Sequence, residues 1–206
     1  MAATPEHRHL PLTVDTIVDA ACALIGESGV AALSMRRLGA SLGVDPMAVY
    51  HHIPNKRQLL SLVTARVMEG MEMPAEGGPW ELRVRQWASS YWRIVVANRD
   101  LVLIGLADPV VAEGGMRWVE PLVAAVSDSG IASDLVEPNA WLVVDFVHGS
   151  ALGASAPLRH APDELEPMRL AFDRGLDTIL AGLEARSVRV VTRSGRASRP
   201  PRTPRR

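Results

Sequence analysis

Between Val44 and Arg57 the chain gathers Tyr50, His51, His52 and its only lysine, Lys56, together with two prolines, Pro46 and Pro54. A phenol, two imidazoles and an ammonium in so short a span suit the recognition of phosphate oxygens and base edges. Tyr50 can donate its hydroxyl to a phosphate while its ring packs on the neighbouring turn, a contact that positions without reading sequence. Lys56 falls in the first turn of a helix expected to begin after Asn55, where unpaired N–H groups and the helix dipole already draw an anion. His51 and His52 can reach phosphate or base edges, and because imidazole changes charge near neutral pH, such contacts would be pH-sensitive. Met47 and Ala48 offer thymine-methyl contact but no hydrogen bonds.

A second polar set lies further on. Asp145 and His148 interrupt the apolar run Ala140 to Ala156 and, three residues apart, share a helix face. A charge buried there needs a partner: the two residues bonded to each other or across two copies of the chain, a ligand's polar group, or in principle a metal. Trp87, Tyr91 and Trp92 can line an apolar pocket with a few polar points, or fill a core. The single cysteine, Cys22, has no partner for an internal disulfide or a thiolate zinc site and is expected as a small core residue. There is no phosphate-cradling glycine loop, no nucleophile elbow and no paired Cys/His spacing, so no catalytic residue, metal or cofactor is expected.

The elements that must position these groups are helical throughout. Thr13 or Asp15 can cap a first helix ending at Gly29. Ser34 can cap a second, closed by Gly43. Asp45 can cap a third, with Pro46 at its first position and Pro54 as its stop. Asn55 can cap a fourth, with Leu59, Leu60, Leu62, Val63 and Val67 on its apolar side. After a Pro/Gly break at Met73–Pro79, a long helix is expected from Trp80 to Ala97. Shorter pieces follow near Leu101–Leu106 and Val110–Val126, the latter broken by Gly114, Gly115 and Pro121, and then helices at Asn139–Ala154 and Glu164–Ala185. Two short helices around a glycine turn, with Leu38, Leu42, Val44, Val49 and Ile53 inward, fit a helix-turn-helix whose second helix enters a DNA major groove.

A net charge of −1 conceals a partition: residues 73–186 carry 16 acidic and 9 basic side chains, while residues 187–206 carry seven arginines and no acid. A uniformly basic surface, the usual electrostatic footprint of a nucleic-acid partner, is absent. The division expected is a DNA-binding unit at 1–72 with its core at 12–62, a helical unit at 73–186, and a disordered arginine-rich tail at 187–206, which either adds non-specific phosphate contacts or is simply solvated. No apolar run is long enough to cross a membrane and the first residues lack the order of a signal peptide, so a cytoplasmic protein is expected.

The segment Leu12 to Leu62, read as LTVDTIVDAACALIGESG and LSMRRLGASLGVDPMAVYHHIPNKRQLL, resembles the N-terminal DNA-binding domain of the tetracycline-repressor (TetR) family. The resemblance implies an all-α homodimer that holds a pseudo-palindromic double-stranded operator as a repressor and is released by a small, largely apolar effector. The alternative is control by a protein partner or by assembly. It also implies that Lys56 serves a phosphate and that Arg36, near the start of the second helix, can reach a guanine edge, a contact worth about 1–3 kcal/mol of discrimination. Met47 and Ala48 depart from the more polar residues often found in such recognition helices. A paired arrangement also requires a dimer face. Leu142, Phe146, Gly149 and Gly153 of one late helix and Leu176, Ile179, Leu180 and Leu183 of the last can form half of an intersubunit four-helix bundle, or can pack within one subunit.

Overall fold

The computed structural model describes residues 11–154 and 165–187. The arginine-rich tail read from the sequence lies, but for Ser187, outside the described residues. Within them the regular structure is helical: α1 Val14–Ser28, α2 Met35–Leu42, α3 Pro46–His52, α4 Lys56–Met68, α5 Trp80–Ala97, α6 Arg99–Ala107, α7 Pro109–Met116, α8 Glu120–Ser127, α9 Ser133–Ala154 and α10 Leu165–Arg186. The all-α expectation is borne out.

Local hydrogen bonds set the first four helices. Thr13 and Thr16 cap α1 reciprocally, backbone N–H to side-chain oxygen, at 3.2 and 2.9 Å. Ser34, Asp45 and Asn55 accept from the N–H groups of Arg37, Met47 and Gln58 at 3.2, 2.8 and 2.9 Å. Each such cap is worth about 1 kcal/mol. Gly43 closes α2 in the left-handed region at φ 68°, which a residue with a Cβ rarely adopts. Gly39 makes the α2–α3 crossing possible. A Cβ there would lie 3.0 Å from the Val44 carbonyl oxygen and 3.1 Å from the Pro46 backbone, so the helices meet at a separation that glycine alone tolerates comfortably.

Two apolar clusters hold the molecule. One joins Ile17, Leu38, Val49, Ile53, Leu59 and Val63, and takes in Leu101 from α6 and Val111 from α7. The other is built on Val84, Trp87, Leu122, Val143, Val147 and Phe172 from α5, α8, α9 and α10. Helix α4 belongs to both, with Leu59 and Val63 in the first and Met68 in the second.

Several expectations need correction. Helix α9 begins at Ser133, not Asn139, and Pro138 sits inside it. The proline forfeits one helical hydrogen bond, but it is exposed, so water can satisfy the carbonyl left unpaired. Gly114 and Gly115 do not break a helix; both lie inside α7, and the interruption falls at the 3-10 turn Arg117–Val119. Leu62 is exposed rather than part of the apolar side of α4. Leu176, Leu180 and Leu183 are buried within their own chain and are spent on its core. Asp145 is exposed, so it is not a buried charge in need of a partner.

Candidate nucleic-acid interface and ligand cavity

The third helix turns Val49 and Ile53 into the core, at 0% and 1% exposure, and by helical spacing leaves Met47, Tyr50 and His51 on the opposite side. Met47 is 61% exposed and Tyr50 41%, and Ala48 is half-buried beside them. His52 is exposed but borders a crevice with Gln58, Leu62, Val110 and Glu113, on the side toward α7. Arg36 is exposed in the first turn of α2, whereas Arg37 folds back to donate to the Ala32 carbonyl and the Ser28 hydroxyl.

Lys56 is the first residue of α4. Asn55 takes the Gln58 N–H, which leaves the N–H groups of Lys56 and Arg57 without a helical carbonyl to meet. The Arg57 side chain is not part of this surface. It forms a two-pronged ion pair with Asp108, Nε to Oδ2 at 2.6 Å and a terminal nitrogen to Oδ1 at 2.7 Å. Asp108 also caps α7 by accepting from the Val110 N–H at 3.0 Å. The guanidinium bonded to it holds its carboxyl below the usual carboxylate range. Arg66 likewise is no solvated cation: it bonds Asp19, Asp15 and Glu69, tying α1 to α4.

Helix α4 lies closely against α7, backbone to backbone at Gly114. A Cβ on Gly114 would fall 2.0 Å from the Ser61 carbonyl oxygen, 2.9 Å from its carbon and 3.1 Å from the Ala65 nitrogen, all backbone atoms. Beside this seam is a cavity of about 180 Å3, walled by Thr64, Val67 and Met68 of α4, Trp87, Tyr91 and Ile94 of α5, Val102 and Leu106 of α6, Ala112 and Met116 of α7, and Trp141 and His148 of α9. Leu106 and Met116 are also exposed to solvent, which places the mouth between α6 and α7.

Of the residues singled out in the sequence for a ligand, Trp87, Tyr91 and His148 border this cavity, and Trp92 and Asp145 do not. Trp92 is buried against Phe172, ring centres 5.7 Å apart, with the Arg169 guanidinium 5.6 Å from its own ring. His148 bonds not Asp145 but the Tyr91 hydroxyl, oxygen to Nε2 at 2.6 Å. Burial pushes Tyr91 up to about 12 and His148 down, an effect that nearby Asp145 opposes in the latter. The α4, α6 and α7 walls and Trp141 went unread in the sequence. Asp108-Pro109 repeats the aspartate-proline cap of Asp45-Pro46 and was the available signal for α7.

Of the residues expected at a dimer face, Leu142 and Gly149 of α9 are exposed, and no atom outside the helix's own backbone lies within 4 Å of where a Cβ on Gly149 or Gly153 would stand. Phe146 instead turns inward and stacks on Phe172 at 17°. Ile179 is half-buried.

Residues 17–63 match the family model described as bacterial regulatory proteins, tetR family. The HTH-type transcriptional repressor DrrR1 of Streptomyces coeruleorubidus is 27% identical over 146 residues, covering 70% of this chain and 53% of that protein. The class D tetracycline repressor protein of Escherichia coli is 32% identical over 92 residues, 43% of this chain and 42% of that repressor. The chain thus spans about half the length of these curated relatives. The TetR family protein ActR of Streptomyces coelicolor, in complex with (S)-DNPA, superposes with a TM-score of 0.70 at 30% identity, covering 85% of this chain and 98% of that one. The chain belongs to the TetR family. In TetR-family terms, α1 to α4 are the helix-turn-helix region matched by the family model, and the resemblance read from Leu12 to Leu62 is borne out. The described residues of this TetR-family regulator contain no group of His, Cys, Asp and Glu able to hold a metal, and no helix long and apolar enough to cross a membrane.

Proposed function

We propose that this regulator binds a two-fold double-stranded DNA operator as a homodimer and lets it go when a small molecule enters the cavity beside α4, with residues 1–72 as the DNA-binding unit and 73–186 as the sensing and dimerising one. One observation carries the reading. A single 13-residue helix has Lys56 in its first turn and Thr64, Val67 and Met68 in the cavity wall, about 12–18 Å away along one rigid rod. A ligand that displaces the far end of α4 moves the end that meets phosphate, and the two copies of α3 then no longer match successive major grooves. The small-molecule complex of ActR is consistent with this use of the fold.

At the DNA, Tyr50 and Lys56 hold phosphates, Arg36 and His51 reach base edges or phosphates, His52 stands at the margin, and Met47 and Ala48 meet thymine methyl groups. The paired copies join through Leu142, Gly149 and Gly153 of α9 and the outer face of α10 at Leu170 and Ile179, with Phe146 supporting the face from beneath. A DNA sequence selected from a random duplex pool by the wild-type protein provides the test. Tyr50→Ala combined with Lys56→Ala should abolish binding to it, while helical content by circular dichroism and mass in solution stay unchanged. Retained binding would refute the assignment.

A further inference from the structure

The cavity's polar atoms narrow what can enter it. Thr64 donates its hydroxyl to the Leu60 carbonyl at 2.9 Å, Asn98 its amide to the Ile94 carbonyl at 2.9 Å, and Trp87 its indole N–H to the Trp118 carbonyl at 2.7 Å. Those donors are spent on backbone. Among the lining residues there is no Asp, Glu, Lys or Arg, whether from α4, α5, α6, α7 or α9. What remains is the indole N–H of Trp141, the Thr64 hydroxyl oxygen and the Asn98 amide oxygen as acceptors, and the Tyr91–His148 hydrogen bond, whose two members together can give and accept a proton.

We propose that the effector is an apolar, ring-sized compound carrying one acidic O–H, a carboxylic acid or a phenol, whose oxygen inserts between the Tyr91 hydroxyl and the His148 Nε2. This rests on the cavity being the effector site. A neutral group that both accepts and donates, such as a primary amide, meets both partners through weaker, uncharged hydrogen bonds; other classes strand one of them. A neutral acceptor such as a ketone can take the Tyr91 O–H, but it leaves Nε2 half-buried without a proton or a donor, and an unmet buried acceptor is costly. An ammonium finds no carboxylate to face. An acid satisfies both partners. Its oxygen accepts from Tyr91 and its O–H meets Nε2; a carboxylic acid passes the proton across and stays bonded as carboxylate to the imidazolium it has created, whereas a phenol donates and keeps its proton, so in either case the cavity plus ligand gains no net charge. A carboxylate already ionised in water reaches the same state when His148 takes its proton from solvent. Asp145, exposed three residues before His148 on α9, favours the protonated ring.

Titration calorimetry of the full-length protein with 2-naphthoate, 2-naphthamide and naphthalene, in two buffers of different ionisation enthalpy at pH 8, tests the proposal. The expected result is that naphthoate binds about tenfold or more tightly than naphthamide and takes up about one proton per chain. Both signatures should vanish in His148→Gln. The preference should also vanish in Tyr91→Phe, which keeps the ring and whose folding is checked by circular dichroism. Equal binding of acid and amide, or an acid preference that survives His148→Gln, overturns the proposal and leaves the cavity reading standing. Failure of all three compounds to bind, naphthalene included, removes the cavity reading and the proposal with it.

Discussion

Gly114→Ala adds a single methyl where α7 meets the backbone of α4. The new carbon would begin 2.0 Å from the Ser61 carbonyl oxygen, and ordinary contact starts near 3.4 Å, so α7 must retreat from α4 by about 1.4 Å or the backbone of both must distort. Neither helix can relieve the clash by turning a side chain, because the opposing atoms are backbone. Overpacking of this kind costs up to about 3 kcal/mol, and the better helix propensity of alanine returns about 1 kcal/mol. The net loss expected is about 2 kcal/mol. Gly115→Ala is the matched control, in the same helix one residue on, where the nearest atom to a new Cβ is the Thr64 methyl at 3.8 Å. It should gain up to about 1 kcal/mol from propensity alone. The two variants should therefore differ in thermal midpoint by about 6–12 °C for a chain of this length, measured by circular dichroism at one fixed protein concentration. The retreat of α7 should also loosen the cavity. If Gly114→Ala melts at or above the wild-type temperature, or Gly115→Ala falls as far, the α4–α7 packing described above is wrong.

Two further outcomes are expected. The Asp108 carboxyl titrates below its ordinary value of 3.8 because Arg57 bonds its charged form, so its contribution to stability is complete above that value and is lost as pH falls through the lower, folded one. Asp108→Asn should lower the urea midpoint at pH 7, and the gap from wild type should close below about pH 4; a gap constant from pH 7 to pH 2 would contradict the clamp. Leu142→Glu places a charge in the proposed dimer face twice over, once per copy, and should weaken association by about tenfold or more. A dimer mass unchanged by light scattering at micromolar concentration would remove α9 from the interface.

The parts of this fold that were legible in the sequence are those whose cause lies within a few residues. Ser34, Asp45 and Asn55 cap the helices they were expected to cap because the bond runs from a side chain to an N–H two or three positions on. Gly43 acts through its own backbone freedom and Pro54 through its own restriction. Pro138 misled because a proline inside a helix and one ahead of it look alike unless one knows that the freed carbonyl is solvated. Periodicity marked Leu176, Leu180 and Leu183 as an apolar face, but it does not say whether that face meets its own chain or another copy. Trp87 and Trp92 show the same limit: five residues apart on one helix, one borders the cavity and the other is enclosed by Phe172 and Arg169. The Arg57–Asp108 clamp joins residues 51 positions apart, and the Gly114 seam depends on the path of a helix far earlier in the chain. No local pattern encodes either.

With every other strong base an arginine, Lys56 supplies the sole side-chain amine of this sequence. Apart from the α-amino group of the chain, succinimidyl dyes, biotin esters and amine-coupling sensor chips have the opening turn of α4 as their target, where they cancel the charge; if Lys56 holds phosphate as proposed, a sample coupled there would look inactive for reasons unrelated to folding. The thiol is no easy substitute, since burial raises Cys22 above the usual thiol range and slows alkylation. A cysteine introduced at solvent-facing Leu82 of α5, at 60% exposure, would give a cleaner tether.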